Sequence, residues 1–410
     1  MAETKNKNWG MIIIAAIIVI AAIFYFTQQK DPVVGKKQDI KVGIILGFTG
    51  PIESLTPAMA NSAELAFKEA SDSGKLLGGK KISVERADST CVDSAAATTA
   101  AQGLVDGGVV AIMGADCSGV TGAIATNVAV PNGVVMISPS ATSPGLTTLA
   151  DNGFFFRTAP SDARGGAILA DITKDRKVKS VAITYTNNDY GKGLSDVYEA
   201  AVKAHGIKVT TVLAHEEGKG DYSAEVATLA SAGGDAVAVL GYLDQAGAQI
   251  IQGSLDAGSF DRFILSDGMI GDSLTDKFGK ALNKSFGSLP GSTGKGAGVF
   301  ADVAKAAGID SSGPYTGESY DAAALITLAM QAGGKADRAT VQANVMAVAN
   351  APGKKIYPGE LGKALDLLAK GKAINYEGAT GVEFTDVGEA FGSFLEKEVK
   401  GGKFKTKKQR

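Results

Sequence analysis

Residues 111–146, AIMGADCSGVTGAIATNVAVPNGVVMISPSATSPGL, concentrate the residue types of this chain that can do chemistry. An apolar strand runs into a Gly/Cys/Ser turn. A helix follows, then a second apolar strand and a Ser-Pro-Ser-Ala-Thr loop. Two hydroxyl-rich loops therefore stand at the carboxyl ends of successive strands, where open parallel sheets bind small ligands. The turn at Asp116–Gly119 opens a helix, and its free backbone N–H groups and dipole favour a small anion. Ser118, Ser140 and Thr142 are placed to offer hydroxyls to the same anion. Such hydroxyls also cap helices and turns without binding anything. The repetition at two adjacent strand ends is what argues for a ligand.

Other chemistry is missing from the sequence. His205 and His215 are the only histidines, and neither has a partner spaced for a metal or a triad. No H-E-x-x-H, C-x-x-C or D-x-D-x-D-G pattern occurs, and G-x-S-x-G is absent. GSTGKGAG at 291–298 looks superficially like a phosphate loop. Lys295 is followed by Gly296 rather than Ser or Thr, and no strong strand precedes it, so it reads as a flexible connection. The expectation is a binding protein without catalytic residues, metal or cofactor.

The elements that must position these loops alternate regularly. Strands are predicted at 41–48, 81–88, 109–115, 134–138 and 154–160, with helices at 57–71, 92–106 and 118–128 between them. The pattern then restarts, with helices at 161–175, 190–205, 222–232 and 243–257 and strands at 178–186, 208–215, 235–242 and 262–267. Short apolar strands separated by polar-faced helices imply two α/β units with parallel sheets covered on both faces. Residues 284–299 read as a crossing loop rich in Gly and Ser. Helices follow at about 298–307, 318–333, 338–349 and 359–370, and a strand pair at 379–385 and 391–404 closes the chain. Two similar lobes joined by several crossings describe a cleft that closes on a ligand.

At 410 residues the chain has room for two such units. It is 45% hydrophobic and 20% charged, with 53 glycines suited to tight connections. Residues 1–37 sum to +3 of a formal net charge of −2, which leaves the remainder mildly acidic and argues against a nucleic-acid partner. The basic end, Lys403 to Arg410, reads as a solvated, frayed tail. Lys5 and Lys7 precede an unbroken apolar run at 11–26 with Trp9 at its entrance, the flanks of a membrane segment. The segment 1–30 is read as a retained anchor, held by residues 9–27, or as a cleaved signal. Either alternative exports the rest of the chain. In an oxidising compartment Cys91 and Cys117 would pair, the alternative being two buried free thiols.

The motifs now resemble a family. IKVGIILGFTGP, DSTC followed by GADCSG, VVMISPSATSP, NNDYGKG, DAVAVLGYLDQAGAQIIQGSLDAG, ILSDG and YTGESYDAAALITL occur in order from about Lys41 to Phe404. Together they resemble the periplasmic leucine/isoleucine/valine-binding proteins, type I substrate-binding proteins of ABC importers. The resemblance implies two Rossmann-like lobes joined by a multi-strand hinge. The first lobe would span 40–159 and 292–370, and the second 160–291 and 371–404, with 31–39 a linker and 405–410 a tail. It implies a location in the periplasm or on the extracytoplasmic face, and ABC permease subunits as partners.

The resemblance also implies roles for residues. Ser118 would bind the ligand carboxylate, and Ser140 and Thr142 the carboxylate and ammonium through backbone and hydroxyl groups. Tyr190 and Tyr242 would be pocket aromatics of the second lobe, and Asp267 the partner of the ammonium. Tyr315 would line the side-chain pocket. Leu55 stands where the family has an aromatic, and Asp267 is one carbon shorter than the glutamate of the leucine-type pattern. The family disulfide falls on Cys91 and Cys117. The implied function is capture of an amino acid, of branched-chain or hydrophobic type, by lobe closure. The alternative is a ligand-sensing ectodomain for a small carboxylate, amide or urea-type molecule.

Overall fold

The computed structural model of the protein describes residues 39–410. The anchor-or-signal reading of 1–30, and the linker up to residue 38, lie outside the described residues. Among the described residues no helix is long and apolar enough to cross a membrane.

The chain first lays down β1 (Ile40–Leu46), α1 (Thr56–Asp72), β2 (Ile82–Asp88), α2 (Ser94–Asp106), β3 (Ala111–Gly114), α3 (Ser118–Ile124), β4 (Val135–Ser138) and β5 (Phe155–Arg157). These strands form one parallel sheet in the order β2-β1-β3-β4-β5. The inner strands β3 and β4 are buried at every residue, as their unbroken apolar runs require in a sheet covered on both faces. The edge strand β2 is half exposed. Gly114 ends β3 at φ 123°, where a Cβ would stand 2.0 Å from the Ile45 carbonyl oxygen. Only glycine lets β3 turn into the next loop there.

A second series follows: α4 (Asp162–Asp175), β6 (Ser180–Thr186), α5 (Asp189–Ala204), β7 (Lys208–His215), α6 (Ser223–Ala232), β8 (Ala236–Leu240), α7 (Ala246–Asp256), β9 (Phe263–Leu265), α8 (Asp272–Phe278) and β10 (Phe286–Pro290). The chain then adds α9 (Lys295–Ala306), α10 (Thr316–Gly333), α11 (Arg338–Ala349), β11 (Lys354–Ile356), α12 (Leu361–Ala369) and β12 (Ile374–Tyr376). It ends on β13 (Phe394–Lys400) and β14 (Lys403–Gln409). The second sheet runs β14-β13-β10-β9-β8-β6-β7, parallel from β10 to β7, with β13 and β14 added antiparallel. Helix α10, buried from Thr316 to Gln331 on nearly every side, packs beside α1, and the Tyr320 phenol bonds Glu69 across them.

Four expectations need correction. The stretch 284–299 is not one crossing loop, because it contains β10 and the first turn of α9. Two of its glycines mark close packing: a Cβ at Gly287 would sit 2.2 Å from the Leu265 oxygen, and one at Gly296 2.0 Å from the Gly378 oxygen. The basic end is not frayed. Residues 403–409 form edge strand β14 after a Gly401-Gly402 turn in which both residues have positive φ, and Arg410 pairs with Glu396 and Asp175. Lysines on an exposed edge discourage further strand pairing, so the charge is compatible with the strand. The expected strand at 379–385 is a loop. Asp321 of α10 holds it, accepting from the Tyr376 hydroxyl and from the backbone N–H groups of Ala379 and Thr380 at 2.8–2.9 Å. β12 also pairs with β11, so the chain rejoins the second sheet at Phe394 and not at 371.

Candidate functional site

The first lobe builds its side of the site from strand ends. Asp116, buried between β3 and α3, accepts from Gly47 N–H at 2.6 Å, the Ser89 hydroxyl at 2.9 Å and Cys117 N–H at 2.9 Å. One carboxylate thus ties together the ends of β1, β2 and β3. Burial pushes its pKa up, and those donors oppose the shift. Cys91 and Cys117 form a disulfide beside it. The Ser138 hydroxyl folds the loop after β4 back on itself, donating to the Ala115 carbonyl and accepting from Ala141 N–H at 2.9 Å. Ser140 donates to the Asp116 carbonyl oxygen at 3.1 Å, and the Ser118 hydroxyl accepts from Ser143 N–H at 3.1 Å. The two hydroxyl-rich loops are therefore one hydrogen-bonded surface.

Arg157 supports this surface from behind. Its guanidinium is fully buried and donates to the carbonyls of Ala141 at 3.0 Å and Ser143 at 2.9 Å, while pairing with Glu389. Sequence reasoning missed both Arg157 and Asp116 as supports of the site. The signal available was a lone arginine closing the apolar strand FFR.

The second lobe contributes aromatics and one acid. Asn188 caps α5 by accepting from Gly191 N–H at 3.0 Å, which fixes Tyr190 in the first turn. Tyr190 stacks on Tyr242, with ring centroids 5.2 Å apart. Asp267 follows β9 in a tight turn. A Cβ at the next residue, Gly268, would meet the Gly241 oxygen at 2.5 Å, so glycine is needed where the ends of β8 and β9 converge. The Asp267 carboxylate accepts hydrogen bonds from the phenols of Tyr190 and Tyr315.

Tyr315 belongs to the first lobe, at the residue before α10, and stands in the left-handed region at φ 59°. Its bond to Asp267 is one of several that cross between lobes. Asp244 N–H donates to the Pro51 oxygen at 3.0 Å and its carboxylate accepts from Ser54 N–H at 2.9 Å. The Ser143 hydroxyl donates to the Asp189 carbonyl at 2.9 Å.

Seven of the eight expected ligand-binding residues, Leu55, Ser118, Ser140, Tyr190, Tyr242, Asp267 and Tyr315, line one cavity between the lobes. Thr142 does not line it. It is fully buried, its carbonyl accepts from Asp162 N–H at 2.8 Å, and its hydroxyl makes no well-directed bond. Ile52 and Met59 complete an aliphatic wall with Leu55 and were not foreseen, because apolar residues around α1 look like core. The cavity is small, about 30 Å³, less than a leucine-sized solute needs.

The acid side of the cavity is electrostatically costly. Burial raises the pKa of Asp267, and the two phenols oppose it. Asp162 is raised further, by burial and by the charge of Asp267. A cation entering here meets the Asp267 carboxyl, and its charge would favour the ionised form. The opposite side offers hydroxyls and N–H groups at the start of α3, which favour an anion. Between them lies the aliphatic wall. The histidines stand apart: His215 ends β7, held by the Thr184 hydroxyl and pushed down to about 4 by burial, and His205 pairs with Asp171. Among the described residues no group of acidic, His or Cys side chains is arranged to hold a metal.

A profile of the periplasmic binding protein family matches residues 39–360. A Leu/Ile/Val-binding protein homolog from Brucella melitensis is 32% identical over 217 residues, 51% of this chain and 56% of that protein, so this match spans little more than half of the relative. A chemotactic signal transduction system substrate-binding protein, BasB, from Halobacterium salinarum is 27% identical over 84% of this chain and 83% of its own length. The crystal structure of the branched-chain amino acid transporter substrate-binding protein LivJ from Streptococcus pneumoniae, in complex with isoleucine, superposes with a TM-score of 0.74 at 22% identity. That superposition covers 91% of this chain and 99% of the other, a likeness of fold. The chain belongs to the periplasmic binding protein family.

Proposed function

We propose that this member of the periplasmic binding protein family captures an α-amino acid with a branched or other hydrophobic side chain between its lobes and delivers it to an ABC permease. The observation that carries the reading is the polarity of the cavity. Ser118 and Ser140 from the first lobe and the acid Asp267 from the second line one cavity together with the aliphatic Ile52, Leu55 and Met59. An α-carboxylate fits the Ser118 and Ser140 side, and an ammonium fits Asp267. The aliphatic wall suits an aliphatic side chain. A ligand held at both ends spans the lobes, so its binding energy favours closure. The stacked tyrosines add a π-face for the ammonium. No nucleophile–base pair is needed, so the protein is read as a binder and not an enzyme.

Export follows from the same reading. The segment 1–30 would place the lobes in the periplasm or on the extracytoplasmic face, as a retained anchor or a cleaved signal. A second reading, a sensor that reports the ligand, is favoured by the similarity to BasB over most of both chains. Both readings are tested by a thermal-shift screen of the twenty amino acids, simple carboxylates, amides and urea. Saturating leucine, isoleucine or valine should raise the unfolding temperature, since ligand at 100 times its Kd adds about 2.7 kcal/mol. A response confined to carboxylates or amides without an ammonium would overturn the amino-acid reading.

A further inference from the structure

A second cavity, of about 240 Å³, opens at the hinge. Its walls come from both lobes: the start of α10 on one side, and the end of β10 with Leu395, Lys397 and Thr406 of β13 and β14 on the other. Tyr315 lines this cavity and the first one alike. Glu318, in the first turn of α10, lines it and is 4% exposed. Among the described residues neither a cation nor a side-chain donor offsets its burial, which, with the charge of Asp321, pushes its pKa up to about 8. Lys397, which lines the cavity from the other lobe, donates to the Thr406 hydroxyl at 2.9 Å. Burial pushes the Lys397 amine down, and the charge of Asp272 opposes the shift.

A buried acid without a paired cation and a half-buried amine without a paired carboxylate both carry desolvation that a ligand of complementary charge would relieve. Hydroxyls and glycine backbone fill much of the remaining wall, Ser292 among them. We infer that the hinge cavity is a second binding site, distinct from the cleft, for a small zwitterion whose ammonium is held by Glu318 and whose carboxylate is held by Lys397 and Thr406. The inference goes beyond the proposed function, because it needs no ligand in the cleft. A molecule lodged there touches both lobes and Tyr315, whose phenol holds Asp267, so the site is placed to influence closure.

Isothermal titration of the purified full chain tests it, with β-alanine as probe and ethylamine and propionate as half-probes. With the cleft saturated by leucine, β-alanine should still bind saturably at one site, and each half-probe at least about tenfold more weakly. Glu318→Gln keeps the shape and should weaken β-alanine by about tenfold. Stoichiometric displacement of β-alanine by leucine, unchanged binding in Glu318→Gln, or no saturable heat up to about 20 mM would each overturn the inference. If leucine itself does not bind, the cleft reading fails, and titration of β-alanine alone still decides the hinge site.

Discussion

The Tyr315 phenol, carried by the first lobe, donates a hydrogen bond to the Asp267 carboxylate on the second. The same carboxylate accepts from Tyr190 of its own lobe. Asp267 thus has two jobs in one geometry: it tethers the lobes and presents the negative end of the cavity. An incoming ammonium must share that carboxylate with the phenols. Tyr315→Phe removes the tether and keeps the ring. Because a hydrogen bond to a charged group is worth about 1.5–3 kcal/mol, leucine affinity should fall by at least about tenfold, with faster dissociation. Stopped-flow dissociation and titration check this, and an unchanged off-rate would remove Tyr315 from the closing mechanism.

Arg157 is expected to matter for stability and site shape together. It is buried, paired with Glu389, and holds the carbonyls of Ala141 and Ser143. Arg157→Met leaves those acceptors unpaired and should destabilise the fold by about 3–5 kcal/mol in denaturant unfolding. A loss below about 1 kcal/mol would mean that the loop holds its shape without the clamp.

The disulfide closes a separation of 26 residues between the ends of β2 and β3. Unfolded, unreduced protein should offer no thiol to alkylating reagent, and two after reduction. On the chain-entropy account, the double variant Cys91→Ser, Cys117→Ser should lose roughly 3 kcal/mol. Two alkylatable thiols without reductant would contradict the pairing.

Glu318 gives a pH dependence of defined sign. Its folded-state pKa is raised to about 8 from 4.5. Below pH 4.5 both folded and unfolded states hold the proton and no penalty arises. As pH rises from 4.5 through 8 the folded state keeps a proton that the unfolded state gives up, so stability is lost. Gln at this position does not titrate. Glu318→Gln should therefore gain on the wild type between pH 5 and pH 9, by more than about 1.4 kcal/mol, the worth of one pKa unit. Thermal unfolding at the two pH values measures the gap, and a constant gap would place the Glu318 carboxyl in a solvated setting.

Much of this architecture is legible in the residues themselves. Ser118 and Ser140 are legible as site candidates because hydroxyl-rich turns recur at the ends of two successive apolar strands, although one such turn alone is more often a cap. Tyr190, Tyr242, Asp267 and Tyr315 become legible only through the order of motifs, since a lone tyrosine or aspartate at a strand end is ordinarily structural. Thr142 lies outside the lining of the cavity, which spacing alone does not reveal. β14 is hidden by its lysines, although the Gly401-Gly402 pair is a hairpin signal. Gly287 and Gly296 suggest a loose loop, and only tertiary packing reveals that a neighbouring carbonyl fills the space a side chain would need. The left-handed backbone of Tyr315, which brings its phenol across the cleft, has no sequence signature at all.

The central claim is that Asp267 binds the ammonium of an amino acid whose carboxylate sits on the first lobe. Isothermal titration of wild type and Asp267→Asn with leucine, and with 4-methylpentanoate, which is leucine without its ammonium, tests this most directly. Wild type should strongly prefer leucine. Asp267→Asn should lose about 10- to 150-fold in leucine affinity while binding 4-methylpentanoate nearly as wild type does. Leucine affinity within a factor of two of wild type in the variant would contradict the claim and point to a simple carboxylate or amide held by the first lobe alone.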